Sequence, residues 1–181
     1  MGLPAGIVLR MSSLRVLIPA EKIQARVREL GAQIDRDYPA GPVYLVGVLK
    51  GASVFMADLA RAMKTPARME FVGIASYHGK TSSGEARLTK DLDHPIEGYD
   101  VIVVEDIVDT GITLTYFLQL LQQRKPKSLR IAAMLDKPSR RRREVHVDYV
   151  GFEVPDQFLV GYGLDYEEDY RNLPDVCILE G

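Results

Sequence analysis

Residues 101–117 hold the densest set of reactive side chains in the sequence. Glu105 and Asp106 follow four β-formers, Val101 to Val104, and Asp109-Thr110-Gly111 comes just after them. Carboxylates at the end of a buried strand can accept from ribose hydroxyls, or hold a hard divalent cation directly or through water. Adjacent strand residues point to opposite faces, so Glu105 and Asp106 need a bend or loop to act together. Asp109, Thr110, Gly111 and Thr113 offer something else. Glycine permits a tight loop, hydroxyls add donors, and a helix starting near Thr113 presents unpaired N–H groups to an anion. An ordinary helix cap, with Asp109 or Thr110 satisfying first-turn amides, accounts for this second half alone. It gives no reason for two acids to end a buried strand, so carboxylates beside a phosphate nest, a site for a phosphorylated sugar, are the better reading.

Lys50-Gly51-Ala52-Ser53 is a second candidate. It follows the apolar run Val43–Leu49, and a strand-to-helix turn with Lys and Gly aims a cation and free amides the same way. The spaced glycines of a Walker A loop are absent, and an ordinary turn is the competing reading. His78, His94 and His146 show no ligand spacing and read as surface or loop residues.

These turns need elements to position them. Ile23, Val27, Leu30 and Ile34 form an amphipathic stripe, with Pro19 in the first turn of the helix and Tyr38-Pro39-Ala40-Gly41-Pro42 ending it. Strands are predicted at Leu14 to Ile18, Val43 to Leu49, Met69 to Ser76, Val101 to Val104, Ser128 to Leu135, Tyr149 to Phe152 and Phe158 to Gly161. A helix carries Val54, Phe55, Leu59 and Met63, and another runs from Thr113 to Gln123. Residues 1–13 read as a loose arm. Residues 77–95, rich in Gly, Ser and charge, read as a long mobile loop, with a two-stranded flap as the alternative. Arg140 to Arg143 read as a solvated face or subunit contact, ahead of a nucleic-acid patch. The tail from Asp165 is acidic and aromatic. Strands alternating with helices predict the α/β class, one mostly parallel sheet flanked by helices.

The bulk numbers agree. A chain of 181 residues fits a single domain, and a net charge of −2 argues against a dedicated nucleic-acid binder. Cys177 is the sole cysteine, so no internal disulfide forms and a cytoplasmic location is expected. No apolar stretch nears the roughly 20 residues that span a bilayer. The first residues lack a signal-peptide pattern, and Gly6 breaks the myristoylation motif that Met1-Gly2 begins.

Val103-Val104-Glu105-Asp106-Ile107-Val108-Asp109-Thr110-Gly111 resembles the phosphoribosyl-pyrophosphate signature of type I phosphoribosyltransferases. Leu49-Lys50-Gly51, Ser76-Tyr77, Lys137, the stretch Val150 to Asp156, Phe158 to Tyr162, and Leu164 through Arg171 follow in family order. Together, over about residues 14 to 180, they resemble the hypoxanthine-guanine phosphoribosyltransferases of the 6-oxopurine salvage group. The resemblance implies a Rossmann-like fold with a small hood from residues 137–181 and a mobile flap. It implies transfer of phosphoribose from 5-phospho-α-D-ribose 1-diphosphate (PRPP) to hypoxanthine or guanine, with Mg2+, by a homodimer or homotetramer that binds neither nucleic acid nor membrane.

Residue by residue, the resemblance implies that Lys50 and Gly51 contact pyrophosphate, with a non-proline cis peptide between Leu49 and Lys50. Glu105 and Asp106 hold the ribose hydroxyls and magnesium. Asp109 takes a proton at the purine N7, and Asp109, Thr110, Gly111, Ile112 and Thr113 cradle the 5′-phosphate. Lys137 donates to the 6-oxygen, Phe158 stacks on the base, and Leu159 meets the ring edge through its main chain. Asp165, grouped with the purine residues, joins a second magnesium site, Arg171 contacts pyrophosphate, and Ser76-Tyr77 belong to the flap. Ala52 stands where family members often have Gly, and Ile112 occupies a variable position; a main-chain nest tolerates both. A sugar-phosphate sensor that binds nucleic acid is the rival from another class, disfavoured because Asp109, Lys137, Asp165 and Arg171 occur together.

Overall fold

Two runs of β-branched residues pair in parallel at the centre of the protein, and the chain winds outward from them in both directions. The structure, a computed structural model, describes residues 13–76 and 86–180. Residues 1–12 and 77–85, including Tyr77 and His78, lie outside the described residues. In order, the elements are β1 (Ser13–Ile18), α1 (Ala20–Asp37), β2 (Val43–Leu49), α2 (Ala52–Ala62), β3 (Ala67–Ser76), β4 (Ala86–Lys90) and β5 (Asp100–Val108). Then come α3 (Ile112–Gln122), β6 (Ser128–Asp136), a 3-10 turn (Pro138–Arg140), β7 (Tyr149–Glu153), β8 (Leu159–Val160) and β9 (Val176–Glu180).

Six strands form one sheet in the order β4-β3-β2-β5-β6-β7, parallel except for β4. Alternation along β5 decides what each face buries. Ile102 and Val104 pack with the α1 stripe Ile23, Val27, Leu30 and Ile34 and with Phe55 and Leu59 of α2. Val101 and Val103 pack with Leu114, Phe117 and Leu121 of α3. Each such side chain contributes about 1.5–3 kcal/mol on burial, which locks the register. Pro19 sits one place earlier than predicted, at the N-cap of α1 with extended dihedrals; its carbonyl takes the Lys22 and Ile23 amides. The outer edge of β7 is occupied by Arg26, whose guanidinium donates to the carbonyls of Val150 at 2.7 Å and Gly151 at 3.1 Å.

From adjacent β2 and β5 the chain leaves toward opposite ends of the sheet, through α2 to β3 and through α3 to β6. That is the topological switch point, where doubly wound sheets open a crevice at the carboxyl ends of their strands. A smaller antiparallel sheet, β1-β9-β8, pairs the first described strand with two strands from the 137–181 segment.

Three expectations need correction. Part of the 77–95 stretch is a strand: β4 pairs antiparallel with β3, with Leu88 packed on the core. One apolar residue among Arg87, Thr89 and Lys90 gives no readable period. The tail contains β9, whose Val176 and Ile178 are buried in the core. Finally β5 does not stop at Val104; it runs through both acids to Val108, paired along β6.

Candidate active site

Because Glu105 and Asp106 lie within β5, alternation sends them to opposite faces. Glu105 lines a hollow of ≈160 Å³ with Val108, Asp109, Thr110, Gly111, Thr113 and Leu114. Asp106 faces the turn after β2: a Cβ placed on Gly51 would sit 1.6 Å from Asp106 Oδ2, so a larger residue there would displace the Asp106 carboxylate. The two acids thus serve two neighbouring subsites, and no bend brings them together. The peptide between Leu49 and Lys50 is cis, as the resemblance implied. Ala52 is buried as the first residue of α2.

Burial, reinforced by the charges of Asp106 and Asp109, raises the Glu105 pKa well above the carboxylate range. Burial also pushes Asp106 up to about 6, against opposing hydrogen bonds that include the Ile107 amide at 2.8 Å. Two half-buried acids whose charged forms the fold disfavours are costly to hold and mark a candidate place for a ligand.

The loop that follows turns on Gly111, at φ +74, a conformation that favours glycine. The Thr110 amide donates to the Asp109 carboxylate, and Ile112, exposed at the start of α3, donates to Thr110 Oγ1 at 3.5 Å. Of the local capping that competed with the phosphate nest, only the 3.5 Å Thr110 contact reaches a first-turn amide, and the N-cap Gly111 supplies no side-chain bond. The Thr115 hydroxyl donates to the Gly111 carbonyl at 2.7 Å.

Across the crevice, Lys50 Nζ meets Glu168 at 2.6 Å, and Arg171 meets Asp165 at 2.8 Å and Glu168 at 3.5 Å. Arg171 also donates to the Gly163 carbonyl at 2.9 Å. A Cβ on Gly163 would lie 2.2 Å from the Gly51 carbonyl, which packs the tail directly against the Lys50-Gly51 turn. Arg171 of the tail thus acts on Asp106, while Lys50 of the turn is held by Glu168. Glu168 was not foreseen; nothing separates it in sequence from the other acids of the tail.

On the base side, Lys137 is 6% exposed, and its ammonium donates to the Gln157 carbonyl at 2.8 Å with Asp156 at 3.8 Å. Burial lowers its pKa. The next residue after Gln157 is Phe158, 53% exposed with its ring 5.6 Å from Tyr166 in an edge-to-face pair. Leu159 is buried in β8, paired with Ile178. A buried ammonium beside an exposed aromatic face fits a flat heterocycle carrying an acceptor oxygen. Ser76 ends β3, Tyr77 lies outside the described residues, and His94 and His146 are surface residues.

The basic run departs most from expectation. Arg140, Arg142 and Arg143 are exposed, but Arg141 turns inward. Its Nη1 donates to the Asp109 carbonyl at 2.8 Å and its Nη2 to the Asp136 carboxylate. The Arg142 and Arg143 amides donate to the Thr110 carbonyl at 2.9 and 3.0 Å. In a run of four arginines nothing in the sequence tells which one turns in.

A larger hollow, ≈380 Å³, lies at the amino ends of the strands between Asp37, Tyr38, Asp100, Lys127, Ser128 and Arg130. Its charges are already matched, Arg130 with Asp37 at 2.6 Å and Lys127 with Asp100 at 2.7 Å. It is at the amino end of a parallel sheet, so the smaller hollow is the candidate site.

A crevice lined by acids beside a glycine loop on a doubly wound sheet suggests a class, and comparison with known proteins identifies it. The family model of the phosphoribosyl transferase domain matches residues 18–167. Over 167 residues, 92% of this chain and 93% of the relative, the sequence is 50% identical to the hypoxanthine-guanine phosphoribosyltransferase of Bacillus subtilis strain 168. The crystal structure of a hypoxanthine phosphoribosyltransferase from Staphylococcus aureus matches with TM-score 0.90 and 46% identity, covering 98% of this chain and 97% of that one. A Trypanosoma cruzi hypoxanthine phosphoribosyl transferase, studied for the role of its C-terminal region in oligomeric state, matches with TM-score 0.88 and 40% identity over 92% and 91%. The chain belongs to the phosphoribosyltransferase family, in its hypoxanthine-guanine branch.

Proposed function

We propose that the protein transfers the phosphoribosyl group of PRPP to hypoxanthine or guanine in purine salvage, giving IMP or GMP plus pyrophosphate. The observation that carries this reading is a series of links between groups: Lys50 and Arg171 share Glu168, Arg171 acts on Asp106, and Asp109 acts on Glu105 and on Lys137, whose ammonium meets the Gln157 carbonyl next to Phe158. That series matches a pyrophosphate, a ribose and a 6-oxopurine laid end to end.

In this reading N9 of the base bonds to C1 of the ribose as the C1–O bond to pyrophosphate breaks and the leaving group keeps the electron pair. The Asp109 carboxylate accepts the proton from N7 and faces the positive charge that develops on the sugar. Lys50, the Gly51 amide and Arg171 take the departing pyrophosphate, which requires Glu168 to release both cations. Asp109, Thr110, Gly111, Ile112 and Thr113 receive the 5′-phosphate at the start of α3. Lys137 donates to the 6-oxygen, which disfavours adenine because its 6-amino group is itself a donor. Phe158 stacks on the ring, and the Leu159 main chain meets its edge.

Magnesium fits the donors present. Glu105, Asp106 and Asp165 offer hard carboxylate oxygens, and among the described residues no three such groups gather into a closed cage. Mg2+ keeps several waters and binds through one or two carboxylates plus substrate phosphates, which suits scattered acids. When bound it supplies positive charge to the pyrophosphate and ribose oxygens. The oligomeric-state work on the T. cruzi relative, and exposed Leu49 and Met69, support a homodimer or homotetramer. No helix among the described residues is long and apolar enough to cross a membrane, and the single buried thiol, Cys177, suits a cytoplasmic enzyme.

The test is nucleotide formation from PRPP and Mg2+ with hypoxanthine, guanine, xanthine, adenine or uracil in separate reactions. Product is expected with hypoxanthine and guanine and not with adenine or uracil. Absence of product with every 6-oxopurine overturns the reading.

A further inference from the structure

We infer that Arg141 is a positioning residue for the transfer reaction: it aims the phosphate loop from behind and ties that loop to the base side of the crevice. The inference rests on the proposed roles of Asp109 and Thr110 and adds a residue to them.

A peptide unit is planar and trans, so the carbonyl of one residue and the amide of the next point in opposite directions. Holding the Asp109 carbonyl therefore aims the Thr110 amide, and holding the Thr110 carbonyl aims the Gly111 amide. Both carbonyls are held by the strap that follows Lys137. Arg141 Nη1 donates to Asp109 O at 2.8 Å, while the Arg142 and Arg143 amides donate to Thr110 O at 2.9 and 3.0 Å. The strap lies close against the loop, since a Cβ on Gly111 would approach the Arg143 carbonyl to 2.6 Å. Only the Arg141 contact is made by a side chain, so only that one can be deleted by substitution.

The other arm of the guanidinium holds Asp136, the residue before Lys137. Asp136 pairs with Val108 in the sheet, and the Lys137 amide donates to the Val108 carbonyl at 2.9 Å. One rigid fork thus spans the ends of β5 and β6, fixing the peptide beside the reacting acid relative to the backbone that carries the base-binding ammonium. Both side chains are largely buried, at 16% and 17% exposure, which shields the pair from solvent screening. An ammonium is a point charge and does not hold two such acceptors in a fixed plane.

The experiment compares wild type with Arg141→Gln, Arg141→Lys, Asp136→Asn and the Asp136→Asn/Arg141→Gln double variant. Initial rates give kcat and KM for hypoxanthine and PRPP, hydrogen exchange reads peptides covering 109–115 without ligand, and thermal unfolding reads the fold. Small misplacements of reacting groups cost up to about a hundredfold, so Arg141→Gln is expected to lower kcat by about 10–100-fold. KM for hypoxanthine should stay within about threefold, and exchange should rise in 109–115. Arg141→Lys should rescue less than about half of the loss on this logic. The double variant should be no slower than Arg141→Gln, because the two side chains form one contact. Wild-type kcat in Arg141→Lys assigns the effect to charge and overturns the proposal, as does unchanged exchange in 109–115. A loss confined to the unfolding temperature also overturns it. If wild type makes no nucleotide the functional reading fails, while the exchange comparison still decides whether Arg141 holds the loop.

Discussion

The two ends of β5 carry acids with opposite fates. At its start, burial acts against Asp100, yet hydrogen bonds from Lys127 and Ser128 hold it below the usual carboxylate range. Asp37, beside it, is lowered chiefly by the Tyr149 hydroxyl and by Arg130. At the far end, burial raises Asp106 to about 6 and lifts Glu105 in the same direction. One strand therefore carries acids stabilised as anions at one end and acids destabilised as anions at the other. Matched charges are structure; acids whose anionic form desolvation disfavours are held by the rest of the fold at a cost to stability, which is the pattern of a candidate ligand site.

The largest expected break in this comparison comes from Asp109. Its carboxylate is proposed to act in the chemical step, so Asp109→Ala should lower kcat by roughly 10²–10⁴-fold. Affinity for PRPP, measured by calorimetry, should weaken far less, because the loop amides and strap remain. Equal losses in both quantities reassign Asp109 to binding.

Asp106 sharpens the comparison from the stability side. A carboxyl whose folded pKa is about 6, against an ordinary 3.8, binds its proton more tightly when the chain is folded. The ligand-free protein is therefore expected to lose stability as pH rises from about 4 through about 6, with Glu105 acting in the same direction. Asp106→Asn removes its share of that slope and should stabilise the ligand-free fold at pH 7.5 by about 1–3 kcal/mol while weakening PRPP binding. Unfolding midpoints between pH 4.5 and 7.5 check this. A midpoint for Asp106→Asn below wild type at pH 7.5 shows that Asp106 is a structural anion.

How much of this was legible in the sequence follows the range of the interactions. The apolar stripe of α1 and the β-branched run of β2 are local patterns that the structure keeps residue for residue, while β5 keeps its run and extends beyond it to Val108. Some of the candidate groups are linked pairwise, Arg171 acting on Asp106 and Asp109 on both Glu105 and Lys137. Their geometry was not legible. That Glu105 and Asp106 divide between two faces depends on β5 continuing past them, which is decided by pairing with β6. β9 was missed because Val176–Glu180 is a short run whose partner, β1, lies at the other end of the chain. Arg141 was hidden among like neighbours. In each case the deciding contact is distant in sequence and carries no period.

The smallest expected effect tests the structural end of β5. Asp37 accepts from Arg130 at 2.6 Å and from Tyr149 at 2.7 Å, and lies away from the carboxyl-end crevice. Asp37→Asn keeps an acceptor but removes the charge that makes both bonds strong, so it should cost about 1 kcal/mol near neutral pH. Its pKa is lowered when folded, so the wild-type contribution is fully present above the ordinary value of 3.8 and fades only as pH falls below it. Asp37→Asn should therefore flatten the acid limb of the stability profile below about pH 4, leave the slope near pH 6 untouched, and keep kcat within about twofold of wild type. Stability profiles of Asp37→Asn and Asp106→Asn would then differ in separate pH windows, one set by matched charges and the other by the site. A change in the pH 6 slope on substituting Asp37 would show that the two ends of the strand are electrostatically coupled, and the division drawn between them would fall.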